Sequence, residues 1–221
     1  MMSTSEPLIL AFDTSAAHCA AALLSGDKLL AHAHEPMAKG QAERLMVLIT
    51  EVMAMGGAKL GDLSAIGVGV GPGNFTGIRI SVSAARGLAL GLGVRAVGVS
   101  TLAARAFGLP RPITVIEDAR RGEIYLQDFD DIEGDGPLLL TAGDLPHVLS
   151  CLRVTSTGVA LAAEVIPGLT ILPPPLPLAE AIARIAGQNW QVPNLPRPAP
   201  LYLRAADAAP SRDGGPVMLP A

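Results

Sequence analysis

The stretch that decides the fold is Gly71-Pro72-Gly73-Asn74-Phe75-Thr76-Gly77-Ile78-Arg79. It follows an apolar run typical of a buried strand and opens a segment with helical periodicity, where a binding loop of an α/β protein would lie. A phosphate-binding P-loop carries a lysine and a hydroxyl residue directly after its last glycine, whereas Ile78 follows Gly77 here. Asn74 is well suited to cap the first turn of the helix. We therefore interpret the loop as architectural, although the free N–H groups of a helix N-terminus could still attract an anion.

Strands and helices alternate on both sides of this loop. Three short apolar runs near the N-terminus, separated by turn residues, predict a meander of three strands at 8–12, 18–24 and 28–32. Apolar side chains at helical spacing predict helices over 41–55, 75–90 and 178–186. Further strands are predicted at 66–70, 94–99, 113–116 and 122–129, the last two joined by residues 118–122. Strands interleaved with helices indicate an α/β fold.

Composition limits the classes of function. A chain of 221 residues can build one compact domain or two small lobes. The net charge of −4 argues against a free-standing nucleic-acid-binding protein, which would carry clustered Lys and Arg. The two cysteines form no C-x-x-C motif, and no signal peptide or membrane-spanning run is visible. We therefore expect a cytoplasmic protein without a membrane segment.

The helix predicted at 75–90 is apolar almost all round. Its polar side chains Arg79, Ser83 and Arg86 form one narrow strip, and small residues occupy much of the remaining surface. A helix of this kind must be covered on most of its sides. The cover could come from the chain itself or from another subunit, and the sequence leaves both open.

Five segments occur in a characteristic order along the chain. They are Leu10–Ser15, Gly69–Ile80, Gly98–Leu102, Asp118–Tyr125 and Pro200–Arg204. Together they resemble the TsaB family, also called YeaZ, over most of the chain. That family is the non-catalytic subunit of the bacterial machinery that makes threonylcarbamoyladenosine (t6A) at position 37 of tRNAs reading ANN codons. The fourth segment contains the second-lobe motif, whose charged residues are Asp118, Arg120, Arg121 and Glu123.

The resemblance implies an actin/Hsp70/sugar-kinase-like (ASKHA) fold with two related lobes, each a mixed sheet flanked by helices. We predict an N-terminal lobe at 1–108 and a smaller C-terminal lobe at 109–204. Residues 205–221 are predicted to form a C-terminal tail that is disordered or loosely docked.

The resemblance also implies a scaffold role. A helix pair in the first lobe would form a helical bundle with TsaD, the catalytic paralogue, and would pair with a second copy of the chain when TsaD is absent. The complex would help to recruit the ATPase TsaE, and tRNA would be met only indirectly. The contact residues predicted on this basis are Met46, Val47 and Thr50 on the first helix, and Ser81, Ala85 and Leu88 on the second.

No catalytic residue, metal or cofactor is predicted. Asp13 begins a turn at the place of a phosphate-binding hairpin, but Ala16 and Ala17 replace the glycines that would let backbone amides close on a nucleotide. We interpret Asp13 as a turn former. His32 and His34 could share a strand face, yet they lack a third metal ligand nearby in the sequence.

The charged residues of the second-lobe motif admit two interpretations. In isolation they could be an anion-binding or acid/base cluster. Exposed ion pairs on a connecting loop are more common, and we favour that interpretation.

Two rival functions remain open. One is a small ATP-binding kinase or ATPase of the ASKHA fold that acts on its own and holds ATP with Asp13 and the loop 71–77. The missing hairpin glycines, the absence of a later Gly-Gly adenosine motif and the short chain count against it. The other is a self-contained homodimer with a separate role, which only partner data would exclude.

Overall fold

The computed structural model describes residues 6–130 and 136–204, so the predicted tail at 205–221 lies outside the described residues. Two five-stranded sheets form the framework. The first contains β1 (Leu8–Asp13), β2 (His18–Ser25), β3 (Lys28–Pro36), β4 (Ala65–Gly69) and β5 (Arg95–Val99). The second contains β6 (Ile113–Arg120), β7 (Glu123–Phe129), β8 (Leu138–Thr141), β9 (Arg153–Thr155) and β10 (Thr170–Ile171).

Helices follow the third, fourth and fifth strands of each sheet. In the first half they are α1 (Gln41–Met55), α2 (Phe75–Leu92) and α3 (Thr101–Ala106). In the second half they are α4 (Leu145–Val148), α5 (Val159–Val165) and α6 (Leu178–Asn189).

The two sheets repeat one topology. The strand orders are β3-β2-β1-β4-β5 and β8-β7-β6-β9-β10. In each sheet the first three strands form an antiparallel meander, the fourth pairs with the first in parallel, and the fifth pairs with the fourth in parallel. The prediction of two related lobes with mixed sheets is therefore confirmed.

Helices cover both faces of the first sheet, which explains why β1 is apolar without interruption from Leu8 to Phe12. Leu10 and Phe12 point to the face that carries α1 and α2, whereas Ile9 and Ala11 point to the face that carries α6. All four side chains are buried. Successive side chains of a strand point to opposite faces, so a central strand covered on both faces must be apolar at every position.

The third helix of each half packs on the sheet of the other half. Helix α6 lies against β1, β2 and β4 of the first sheet, α3 lies against β6 and β7 of the second, and the two helices contact each other. The sheet approaches α6 closely at Gly67, where an added Cβ would lie 2.8 Å from the Cβ of Ala186. The lobe boundary at residue 108 thus remains a prediction. Helix α6 comes after that boundary in the sequence but packs on the sheet formed before it.

The elements missed by the sequence analysis are short, and they are α3 in the first half and five elements of the second half. Strands β8, β9 and β10 and helices α4 and α5 have two to seven residues each. Segments of that length span too few periods to reveal a helical or strand pattern. The structure also corrects the turn predicted at 118–122, because β6 continues to Arg120. Within the described residues, no helix combines the length and the apolar content needed to cross a membrane.

A cavity in the α6 contact should destabilise the whole chain. Ile182 of α6 is fully buried, and its Cγ2 would lie 3.3 Å from a Cβ at Gly67. Substitution Ile182→Ala should lower the free energy of unfolding by about 2–5 kcal/mol in urea denaturation. Ile171→Ala is the matched control, because Ile171 is 50% exposed. Equal small effects of the two substitutions would contradict the packing of α6 on the first sheet.

Candidate functional site

The glycine-rich segment 71–79, which we call the loop, follows β4 and includes the first turn of α2. It lies at the edge of the first sheet where the parallel strands β1 and β4 end. Asn74 caps α2, because its Oδ1 accepts a 2.8 Å hydrogen bond from the backbone N–H of Gly77. The predicted cap is thereby confirmed. Gly71 adopts a φ of 91°, a left-handed conformation that favours glycine.

The loop packs directly on the turn between β1 and β2, residues 14–17. The N–H of Asn74 donates to the carbonyl oxygen of Ser15 at 2.6 Å, and the Thr14 hydroxyl donates to the carbonyl oxygen of Gly77 at 2.7 Å. A Cβ at Gly73 would lie 2.3 Å from the Ser15 oxygen, and one at Gly77 would lie 1.9 Å from the Thr14 oxygen. These two glycines therefore permit a backbone contact that no other residue allows.

This contact supports the architectural interpretation of the loop. A phosphate cradle turns backbone N–H groups toward an open space. Here the N–H of Asn74 donates to the neighbouring turn, and the N–H of Gly77 donates to the Asn74 side chain. Neither N–H is available to a phosphate. The turn presents carbonyl oxygens to the loop, and these repel phosphate oxygens.

Asp13, the last residue of β1, stabilises the same turn through hydrogen bonds. Its side chain is fully buried, and its Oδ1 accepts hydrogen bonds from the backbone N–H and the hydroxyl of Ser15 at 3.0 and 2.8 Å. His18 Nε2 lies 2.7 Å from the same oxygen. The bond to the N–H two residues on is the pattern of an Asx-turn, so the interpretation of Asp13 as a turn former is confirmed. Among the described atoms, Asp13 Oδ2 has no hydrogen-bond partner.

The segment 198–204, which we call the strap, runs from the first lobe to the second beside the loop. Leu201 donates its N–H to the carbonyl oxygen of Val70 at 2.8 Å. Tyr202 stacks on Phe75 with ring centroids 4.7 Å apart, and its hydroxyl accepts a 2.8 Å hydrogen bond from Arg79 Nε. The Arg79 guanidinium also lies 3.9 Å from the centroid of the Phe75 ring, so it makes a cation–π contact.

The second-lobe motif lies in the hairpin between β6 and β7. Arg120, Arg121 and Gly122 have φ values of 65°, 57° and 75°, and Asp118 Oδ1 supports this turn by accepting a 2.7 Å bond from the N–H of Arg120. Glu123 pairs with Arg204 of the strap. This pair corrects the simple picture of a surface loop, because it joins residues 81 positions apart and ties the strap to the second lobe.

The loop, the hairpin and the strap surround one cleft of about 630 Å³ between the lobes. Asn74, Phe75, Asp118, Arg120 and Tyr202 are among its lining residues. Segments that are far apart in the sequence therefore meet at one place.

Two further groups of side chains line the cleft and are held in place by their surroundings. Arg105 Nε lies 3.0 Å from Glu117 Oε1, and Thr157 donates to the other oxygen of that carboxylate. Tyr125 is nearly buried, and this burial raises the pKa of its phenol above the usual value. Several polar side chains of the cleft are thus already bonded within the protein. Residues 6–130 and 136–204 contain no group of three or more His, Cys, Asp or Glu that could hold a metal ion.

The predicted contact residues on α1 lie on its outer face. Met46 and Val47 are 42% and 49% exposed, and Thr50 is exposed with its hydroxyl donating to the carbonyl oxygen of Met46. These three side chains are therefore available to another protein.

Two of the predicted contact residues on α2 face the opposite way. Ser81 and Ala85 are fully buried against the chain's own first sheet, and the Ser81 hydroxyl donates to the carbonyl oxygen of Ile78 at 3.1 Å. Leu88 is half-buried. The prediction of Ser81 and Ala85 as contact residues is therefore corrected. Their small side chains let α2 pack closely on the chain's own sheet and do not reach the outer surface.

The outer face of α2 follows the strip that the sequence analysis set apart as polar. Arg79, Ser83 and Arg86 are exposed, and the strip continues to Leu90, which is 84% exposed. These positions are spaced i, i+4, i+7 and i+11, so the spacing could have identified Leu90 as an outer residue. Met55 at the end of α1 is another exposed apolar residue that the sequence analysis missed.

Substitution Gly77→Ala should damage the loop contact. Its Cβ would collide with backbone rather than with a movable side chain, so we expect a loss of about 1–3 kcal/mol in the free energy of unfolding. Gly87→Ala is the matched control on the same helix, because nothing lies within 4 Å of an added Cβ there. That substitution should stabilise by about 0.5–1 kcal/mol. Chemical denaturation measures both, and a neutral Gly77→Ala would disprove the close contact.

Comparisons with known proteins find matches whose names refer to threonylcarbamoyladenosine in tRNA. A family model described as "TsaD: tRNA N6-adenosine threonylcarbamoyltransferase" matches residues 34–143. The chain is 37% identical over 127 residues to the "tRNA threonylcarbamoyladenosine biosynthesis protein TsaB" of Escherichia coli, a match that covers 55% of this chain and 54% of that protein. The chain therefore matches about half the length of this curated relative.

Solved structures match over nearly the whole chain. The structure of "YeaZ from Pseudomonas aeruginosa" has a TM-score of 0.74 and 26% identity, and the match covers 89% of this chain and all of that chain. Component A of the (R)-2-hydroxyglutaryl-CoA dehydratase of Acidaminococcus fermentans has a TM-score of 0.56 at 12% identity, covering 83% of this chain and 98% of that chain, and it shows the fold alone. The predicted ASKHA fold is thereby confirmed.

Proposed function

The chain belongs to the TsaB/YeaZ family, and we propose that it takes part in t6A biosynthesis in tRNA as a non-catalytic scaffold subunit. In this proposal its partner is a TsaD-type transferase, on which the carbamoyl transfer takes place. The chain would hold that enzyme in its active conformation and help to recruit a TsaE-type ATPase. Contact with tRNA would be indirect, through the complex, and the location would be cytoplasmic.

The observation that carries the scaffold proposal is the uncovered apolar surface of α1 and α2, which we call the outer helix face. It contains Met46, Val47, Met55 and Leu90, all more than 40% exposed. The inner faces of the same helices are packed on the first sheet. Within the described residues, no other helix or strand covers their outer side. Met46 and Val47 are neighbours on α1, and an exposed apolar patch on a folded protein marks an interaction surface.

The geometry of the cleft supports a non-catalytic role. The glycine loop is engaged with the turn 14–17, and Asp13 is held by Ser15 and His18 below that turn. An ATP-binding kinase of this fold would need that edge of the sheet open to phosphates. The rival kinase function therefore has less support than the scaffold function, and calorimetric titration with ATP and Mg²⁺ tests it directly.

The scaffold proposal predicts that a charge on the outer helix face disrupts the complex. Substitution Val47→Arg would place an unpaired guanidinium in the contact, so we expect affinity for the TsaD-type transferase of the same organism to fall at least about tenfold. Val165→Arg is the matched control, since Val165 is an exposed valine on α5 of the second lobe, 39% exposed. Co-purification followed by light scattering measures complex formation for both variants and the wild type.

The outcomes separate the possibilities. Complexes of the wild type and Val165→Arg, with loss in Val47→Arg, support the outer helix face as the contact. Equal binding by all three would disprove that face, and no binding by the wild type would disprove the partnership. Light scattering of the isolated chain tests the homodimer: a dimer that dissociates on Val47→Arg would show that both contacts use one surface.

A further inference from the structure

A second cleft, of about 620 Å³, lies where the C-terminal end of α2 meets the segment after α6. Three arginines line it: Arg86 on α2, Arg95 at the start of β5, and Arg197 in the segment that leads to the strap. None of its lining residues is an aspartate or a glutamate. We call this feature the arginine cleft.

The positive charge of the arginine cleft is not neutralised within the described part of the chain. Four other arginines, at positions 44, 105, 184 and 204, each pair with a glutamate. No ion pair is formed by Arg86, Arg95 or Arg197 among residues 6–130 and 136–204. The chain has a net charge of −4, so this concentration of positive charge is local.

Arg95 is held in place by the end of α6. Its Nη1 donates to the carbonyl oxygens of Trp190 and Val192 at 3.2 and 2.7 Å. The end of a helix carries unsatisfied carbonyl groups and partial negative charge, which Arg95 complements. Arg86 and Arg197 are exposed and make no such bond to another described residue, so their guanidinium groups are the ones available to an incoming anion.

The cleft also has an apolar component. Leu90 lines it and is 84% exposed, and the half-buried Val94 and Leu195 extend the apolar lining. The phosphates of a nucleic-acid backbone would pair with the arginines but would leave the Leu90 side chain exposed to water. A protein segment with carboxylates and an apolar side chain would satisfy both kinds of lining.

We propose that the arginine cleft is a docking site for an acidic protein segment that carries an apolar side chain beside its carboxylates. Guanidinium groups bind carboxylates through paired, charge-assisted hydrogen bonds, and the fixed fork of arginine makes that pairing more specific than a lysine would. Leu90 provides the apolar contact that orders the segment. The proposal is argued from the cleft alone and does not depend on the assignment to t6A biosynthesis.

The test uses a defined peptide rather than an unidentified partner. A peptide of four Glu-Glu-Leu repeats is titrated into the ¹⁵N-labelled full chain at physiological ionic strength, and the arginine Nε–H signals are followed by NMR. We expect the signals of Arg86 and Arg197 to shift. The double substitution Arg86→Gln with Arg197→Gln should weaken binding at least about tenfold, because the loss of even one charged hydrogen bond has an effect of that order.

Two controls make the result specific. Lys28→Gln with Lys39→Gln removes the same charge from exposed positions elsewhere and should leave binding nearly unchanged. A Gln-Gln-Leu repeat peptide should not bind. All four substituted residues are exposed, and circular dichroism verifies that the variants fold.

Three results would overturn the proposal. These are no binding of the acidic peptide, equal weakening by both double substitutions, or a short poly-uridine oligonucleotide that binds at Arg86 and Arg197 as tightly as the peptide. The last result would assign the arginine cleft to RNA. Leu90 and Arg86 also lie on the outer face of α2. The two proposals are nevertheless tested separately, because the TsaD-type contact is tested at Val47 of α1 and the arginine cleft at Arg86 and Arg197.

Discussion

The structure depends on one close contact between two pieces of backbone. The loop 71–79 lies against the turn 14–17, and only glycine fits at positions 73 and 77 because the carbonyl oxygens of Ser15 and Thr14 occupy the space of a Cβ. This contact sets the start of α2 and joins the ends of β1 and β4. It also places Phe75 and Arg79 where the strap can stack on them. The loop therefore positions both the helix face and one wall of the interlobe cleft.

The two lobes are held together by elements that cross between them. Helix α6 fills the face of the first sheet opposite α1 and α2, α3 packs on the second sheet, and the strap returns to the second lobe through the pair of Arg204 and Glu123. These contacts join residues of different lobes, so the unfolding of one lobe removes contacts that stabilise the other. The interlobe cleft keeps its shape through the same contacts.

The outer surface of α2 combines two kinds of chemistry. Toward its N-terminal end, Arg79 is engaged with aromatic rings. Toward its C-terminal end, Arg86 and Leu90 border the arginine cleft, where positive charge is not neutralised within the described residues. One helix thus presents an apolar surface beside a positive one. A partner that covers both would gain specificity from the charges and affinity from the apolar contact.

Local signals were sufficient for much of the fold. The helix over 41–55 and the N-cap at Asn74 were predicted at the right residues, because an amphipathic period and a capping side chain are encoded within one or two turns. The three-strand meander followed from turn residues between apolar runs. The ASKHA fold followed from a resemblance in five segments, and not from periodicity.

The sequence by itself determined the longer helices and strands, and it singled out the glycine-rich loop and its N-cap. Only the tertiary structure decided that Ser81 and Ala85 face the chain's own sheet, that α6 crosses to the first sheet, and that Glu123 meets Arg204. The physical reason is that local patterns fix backbone conformation, whereas the side of a helix that is buried depends on which distant segment packs against it. A helix that is apolar nearly all round carries too little contrast in its own sequence to specify that side.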